Sequence, residues 1–240
     1  MKQTLRALCF LLTIFLVAGN GYALVLGDNI TVYDGESSGS GWYGTQEDNE
    51  VHSNCLTGQE WDLEGFFLNG TTLTMVGGYD FINGQGGYAS GDIFINTLGG
   101  PGYNYVFDLD VASQTYDVYA LDSDSQYLGV AYNQNNDSYP WRYDADASDV
   151  ALSSGSFAYY AGLSDSAVGG LAGGYHNALA VDLGFLQGSG FIAHFTMECG
   201  NDNLMGNGTA PAPVPEPATL LLMGTGLIAL GKFSKRNKKA

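Results

Sequence analysis

The sequence predicts an all-β protein whose body is a jelly-roll-like β-sandwich, and three observations carry that prediction. Thirty-five of the 240 residues are glycine, which puts tight turns throughout a chain with few helix-forming runs. Tyr103, Tyr105, Phe107 and Leu109 alternate with smaller or polar residues, the period of two expected of a strand with one buried face. Asn69-Gly70 interrupts an apolar stretch over 63–76, and this dipeptide favours the positive backbone angles of a two-residue hairpin loop.

Taken in order, the chain opens on an address. Lys2 and Arg6 precede an apolar run over 7–17 and the small-residue site Gly21-Tyr22-Ala23. This is the layout of a secretory signal peptide over 1–23, with cleavage expected after Ala23. Residues 24–206 are assigned to the sandwich, about 180 residues being suited to one domain. Further strands are expected over 115–121, 127–132, 156–161, 178–183 and 191–198, short and regularly interrupted as in a jelly roll. Residues 207–214, with Pro211 and Pro213, read as a linker kept extended by proline.

Charge is segregated along the chain. Two of the eight lysines and arginines lie in the signal and five near the C-terminus, so residues 24–231 keep Arg142 alone. All twenty-five acids fall within 28–216, and against that one arginine they leave 24 net negative charges. Such a surface repels nucleic-acid phosphates and anionic lipid, and it attracts divalent cations and basic partners. Nucleic acid is therefore excluded as a partner. Cys9 leaves with the signal, and Cys55 and Cys199 remain. An even pair in an exported protein predicts one disulfide joining the start and end of the domain. On the chain-entropy account so long a loop contributes about 4–5 kcal/mol.

Candidate chemistry is sparse. Glu47, Asp48 and Glu50 share one acidic loop with Asn49, which could supply oxygens to a single structural calcium. The competing expectation is a solvated acidic loop. A second candidate, opening at Asp122 and Asp124, lacks the central glycine and has Asn133 where a helical calcium loop needs its closing glutamate. Trp42, Trp61 and Trp141 would stack on sugar rings if they flanked a groove, whereas a sandwich ordinarily buries such rings. His52, His176 and His194 stand beside no nucleophile in a recognisable setting, and no His-Glu-x-x-His occurs. Twenty-five acids always offer pairs at glycosidase spacing, so that signal selects nothing. No catalytic residue is assigned, and the expectation is a protein that is not an enzyme.

The most specific stretch is the last. Pro215-Glu216-Pro217 precedes an apolar run over 218–230 and a cluster of Lys232, Lys235, Arg236, Lys238 and Lys239. The sixteen residues 218–233 span roughly 24 Å at about 1.5 Å each. That is short of a hydrocarbon core of about 30 Å, a deficit that local thinning and a snorkelling Lys232 can cover. A single transmembrane helix over 218–233 is expected, with the basic end cytoplasmic.

Triplet, short apolar helix and basic end, in this order, closely resemble the PEP-CTERM sorting signal of bacterial exopolysaccharide-producing species. The resemblance implies processing by an exosortase, a membrane cysteine transpeptidase, with Pro215, Glu216 and Pro217 as the processing motif. It makes the chain that enzyme's substrate, held by the membrane through its C-terminal helix until cleavage, and it suggests exopolysaccharide as a further partner. Stretches over 59–67, 76–80, 90–94 and 198–204 are similar to exosortase-dependent surface proteins of unassigned molecular function. The resulting expectation is an exported protein, anchored transiently in the inner membrane and then placed at the cell surface or in the extracellular matrix. A carbohydrate-binding module with structural calcium ranks second and a glycoside hydrolase third.

Overall fold

The computed structural model describes residues 24–32, 55–97, 102–132 and 138–212. The expected signal peptide, the Glu47–Asp48–Glu50 loop, Trp42, the Pro215–Glu216–Pro217 triplet and the expected membrane helix over 218–233 lie outside these residues. Among the described residues no helix is long and apolar enough to cross a membrane.

Thirteen strands form among the described residues: β1 (Asp28–Asn29), β2 (Leu63–Asn69), β3 (Thr72–Gly77), β4 (Ile93–Thr97), β5 (Tyr105–Asp110), β6 (Thr115–Ala120), β7 (Tyr127–Leu128), β8 (Arg142–Tyr143), β9 (Ser153–Ser156), β10 (Ala158–Leu163), β11 (His176–Asp182), β12 (Gly190–Thr196) and β13 (Asn203–Thr209). Short 3-10 turns occupy Gln59–Trp61, Asp165–Val168 and Gly184–Leu186. One sheet runs β1-β2-β3-β11-β10, the other β13-β12-β4-β5-β6-β9, and β7-β8 form a separate ribbon. All three sheets are antiparallel, and the fold is an all-β sandwich.

The expected hairpin over 63–76 forms as β2 and β3, with its loop one residue further on than the dipeptide suggests. Asn69 pairs with Thr72, so Gly70 and Thr71 form the loop. Gly70 takes φ 59°, which puts glycine at the first loop position, as in a type II′ turn. A register shift between Leu63 and Gly65 marks a bulge in β2. It lets Leu63 and Phe66, three apart in sequence, both face the core.

Between the sheets, Leu63, Phe66, Leu73, Met75, Leu179 and Val181 meet Ile93, Ile95, Phe107, Leu109, Phe191 and Phe195 in one apolar cluster. Each large side chain buried there contributes roughly 1.5–3 kcal/mol relative to exposure. The outer faces are apolar in part as well. Phe67, Val76 and Ala178 pack under Val168, Leu24 and Leu26, and Phe94 and Val106 pack under Tyr143 of the β7-β8 ribbon with Tyr103 and Tyr127 beside them. Residues 28–32 close one side of the sandwich. Asp28 and Asn29 pair with β2, while Ile30 accepts from the Asn207 N–H at 2.8 Å and Val32 donates to Met205 of β13 at 2.8 Å.

Two expectations need correction. Among the described residues strand order within the sheets is mostly sequential, and the only 4-1-2-3 order is β12-β4-β5-β6. A jelly roll needs two Greek keys, so the body is a sandwich of another topology. The linker expected from 207 begins later. Asn207, Gly208 and Thr209 complete β13 against Ile192, Phe191 and Gly190, because the strand's pairing outweighs the turn chemistry of Asn-Gly-Thr. The chain brings the expected pair, Cys55 and Cys199, together. The Asn201 side chain accepts from the Leu56 N–H at 2.8 Å and donates to the Leu56 carbonyl at 2.9 Å, which seats Cys55 beside the buried Cys199.

Two histidines are buried in contrasting surroundings. His176 Nδ1 lies 2.6 Å from Glu64 Oε2, and its Nε2 lies 3.0 Å from Asp165 Oδ1, tying the turn at Asp165–Val168 to the sheet. This bond is the main cause that holds the Asp165 carboxyl below the usual carboxylate range. His194 instead sits among rings, stacked on Tyr103 at 5.5 Å and 6.2 Å from Phe94. Neither of its nitrogens makes a hydrogen bond among the described residues. Burial pushes its pKa down to about 4, against the pull of the neighbouring Asn203 side chain.

A folded-state value near 4, below the unfolded 6.5, means that the unfolded chain binds the proton more tightly. Stability that is full above about pH 6.5 is therefore lost as pH falls towards 4, by roughly 3 kcal/mol at most. Urea unfolding at pH 4, 5, 6 and 7 should show that His194→Phe has a flatter acid limb than the wild type. Parallel pH profiles in the two proteins would refute this account.

Candidate functional site

The site begins with one arginine. Arg142 is the single lysine or arginine between residues 24 and 231, and it lies on β8 between two residues that are both held by Asp92. The Asp92 N–H donates to the Trp141 carbonyl at 2.8 Å. The Asp92 carboxylate accepts from the Tyr143 N–H at 2.8 Å and from the Leu109 N–H at 2.9 Å. One buried aspartate thus clamps the backbone on either side of Arg142 and binds it to β5. Gly91 is required beside it, since a Cβ there would lie 2.2 Å from the Trp141 oxygen and 2.3 Å from the Thr196 oxygen.

Arg142 borders a cleft of about 450 Å³ that also contains Asp108, Asp110 and Asp117. Phe107 and Leu109 face the core, so the alternation of β5 turns Asp108 and Asp110 outward. Asp108 stands directly opposite Asp117 across the β5-β6 pairing, and like charges so placed repel. Burial raises the Asp108 pKa. Arg142 opposes that rise, while Asp117 and Asp110 add to it. Asp110 goes the other way, held low first by the Ser113 hydroxyl and then by backbone N–H donors. Deeper in, burial pushes Asp92 up to about 7, with Asp108 adding and the two N–H donors and Arg142 opposing.

The residues singled out from sequence fall elsewhere. Trp61 and Trp141 are each only 7% exposed, so neither offers a sugar an open ring face. Trp61 supports the loop at Gly86 and Tyr88, and the carbonyl of Trp141 is held by the Asp92 clamp. No group of three or more histidine, cysteine or acidic side chains is placed to hold a metal among the described residues. Gly35-Glu36-Ser37-Ser38-Gly39 has the spelling of a nucleophile elbow, lies outside the described residues and receives no assignment. Asp117 went unremarked in the sequence. Its signal was parity: Tyr116 and Val118 on either side face the core, which turns Asp117 outward.

The body is thus an acidic all-β sandwich bearing a polar cleft, and it ends before a separate C-terminal segment. That segment, residues 213–237, matches the PEP-CTERM protein-sorting motif. The chain thus carries a PEP-CTERM sorting motif at these residues, and the motif points to exosortase-dependent sorting of an exported protein. No curated protein and no solved structure matches it.

Asp92 gives a pH dependence opposite in sense to that of His194. Its folded value of about 7 exceeds the unfolded 3.8, so the fold binds this proton more tightly than the unfolded chain does. The associated stability is full below about pH 4 and is lost as pH rises towards 7, up to about 4 kcal/mol. Asp92→Asn cannot ionise, and it should abolish this slope while losing one N–H acceptor. Unfolding free energies at pH 4 and pH 7.5 decide: a pH difference in Asp92→Asn equal to that of the wild type would contradict the assignment.

Proposed function

We propose that the β-sandwich is cargo: a surface or extracellular-matrix protein carried across the inner membrane, then separated from its C-terminal segment by exosortase cleavage near Pro215, Glu216 and Pro217. The observation that supports this reading is where the fold ends. Strand β13 stops at Thr209. Ala210 is fully buried and donates its N–H to Ser189 at 3.0 Å. The sorting motif begins at 213, so a cut at 215–217 leaves every described strand in the released chain. The anionic body suits a soluble, hydrated destination, and the basic residues at the C-terminus suit retention on the cytoplasmic side until the cut.

In the exported protein Cys55 and Cys199 become one disulfide. Two thiols lose two protons and two electrons to a thiol-oxidising disulfide of the exported compartment, and one S–S bond forms. Their adjacency through Asn201 supports this pairing. Burial pushes the Cys199 thiol up to about 11, which makes it a poor nucleophile once folded. Oxidation therefore belongs to the stage before the core closes.

Two measurements test these readings. Intact mass of the mature chain, from cells with and without the processing enzyme, should show the C-terminal segment removed only where the enzyme is present. Equal masses and equal membrane retention would exclude processing. Non-reducing peptide mapping should recover Cys55 and Cys199 in one cross-linked species lighter by two hydrogens. Both thiols alkylating freely in unfolded, unreduced protein would exclude the bridge.

A further inference from the structure

The cleft beside Arg142 has a charge pattern that the protein itself leaves unmet. Several of its other polar groups are already engaged. Asn83 Nδ2 donates to Asp80 at 2.8 Å, Ser90 Oγ donates to the Phe81 carbonyl at 2.8 Å, and Thr115 Oγ1 bonds to Ser113 Oγ at 2.7 Å. Among the described residues Asp108 and Asp117 make no side-chain hydrogen bond, and Arg142 forms no ion pair. Yet the Asp92 clamp holds the Arg142 backbone on both sides. The Arg142 guanidinium, 5.9 Å from the centre of the Trp141 ring, and two directly opposed carboxylates therefore share one hollow of about 450 Å³, within the size range of small-molecule sites.

Each ligand class meets this pattern differently. A divalent metal finds no suitable group of three ligating side chains among the described residues, and the guanidinium repels it. A neutral sugar leaves the Asp108–Asp117 repulsion uncompensated. A ligand that is only anionic faces three carboxylates for one arginine. A compact molecule with more ammonium groups than carboxylates satisfies both halves, because arginine takes a carboxylate through two parallel N–H bonds. The anionic body raises the local concentration of such a cation.

We propose that this cleft binds a free basic amino acid, with Arg142 holding the ligand's carboxylate and Asp108 and Asp117 receiving its ammonium groups. Asp92 acts as a positioning residue for Arg142. The reading goes beyond sorting and does not depend on it, since the cleft is formed by residues of the body alone.

Isothermal titration of the purified exported chain tests the proposal with free lysine, with cadaverine, which lacks the carboxylate, and with glucose. Lysine should bind at least about tenfold more tightly than cadaverine, and glucose should not bind. Arg142→Gln should abolish the preference for lysine over cadaverine without weakening cadaverine, because the lost guanidinium held the carboxylate and repelled the diamine, and Asp117→Asn should weaken both. Matching thermal unfolding of each variant and the wild type confirms folding. The wild-type ligand comparison stands even if a variant fails to fold. Absence of lysine binding at millimolar ligand, equal binding of lysine and cadaverine, binding of glucose, or an Arg142→Gln variant that still prefers lysine would each overturn the proposal.

Discussion

Strand β4 is apolar on both sides, and the architecture around the cleft follows from that. Ile93, Phe94 and Ile95 are consecutive and all fully buried or nearly so. Successive side chains of a strand point to opposite faces, so β4 needs a cover on each. The five-stranded sheet supplies one cover through Leu63, Met75 and Leu179. The β7-β8 ribbon supplies the other, laying Tyr143 and Tyr127 on Phe94 and Val106. A two-stranded ribbon is marginal by itself, and here it is held by Asp92 and Gly91 at the entrance to β4. Arg142 rides on this ribbon, so the position of the body's single arginine is a by-product of covering the sheet's second face.

Buried polar groups do a different kind of work from the apolar core. Asp92 exchanges water for two backbone N–H donors and so joins β4, β5 and β8 at one atom group. His176, between Glu64 and Asp165, fastens a glycine-rich connection to the sheet beneath it. His194 has aromatic neighbours instead of polar ones, and burial therefore holds it neutral. The same residue type thus serves as a hydrogen-bonded tie on one outer face and as a packed ring on the other. What decides between these roles is whether an acid stands within reach.

Legibility followed the range of the interaction. The β2-β3 hairpin and strands β5 and β6 could be read locally, since alternation and a loop dipeptide lie within a few residues of each other. Strands β8, β9 and β13 could not. Arg142–Tyr143 and Ser153–Ser156 have no alternation of their own and become strands only because Leu128 and Tyr116 present free edges to them. The Trp61 and Trp141 rings read equally well as sugar platforms or as packing, and only their neighbours in space decide for packing. Asp108 and Asp117 were two acids among twenty-five until the β5-β6 register set them face to face.

By itself the sequence determined the sorting motif at residues 213–237 and the character of the body. A motif of that kind acts through the linear order of a few residues, and it needs no folded partner to be read. Period-two alternation likewise sufficed for an all-β body, because it reports one buried face whatever lies against it. The tertiary structure alone decided the sheet order, the closing of one side by residues 28–32 and the gathering of one arginine and three aspartates around a cleft. These depend on contacts between residues as far apart as Asp92 and Tyr143 or Ile30 and Asn207, and no local pattern encodes which distant strand will offer its edge.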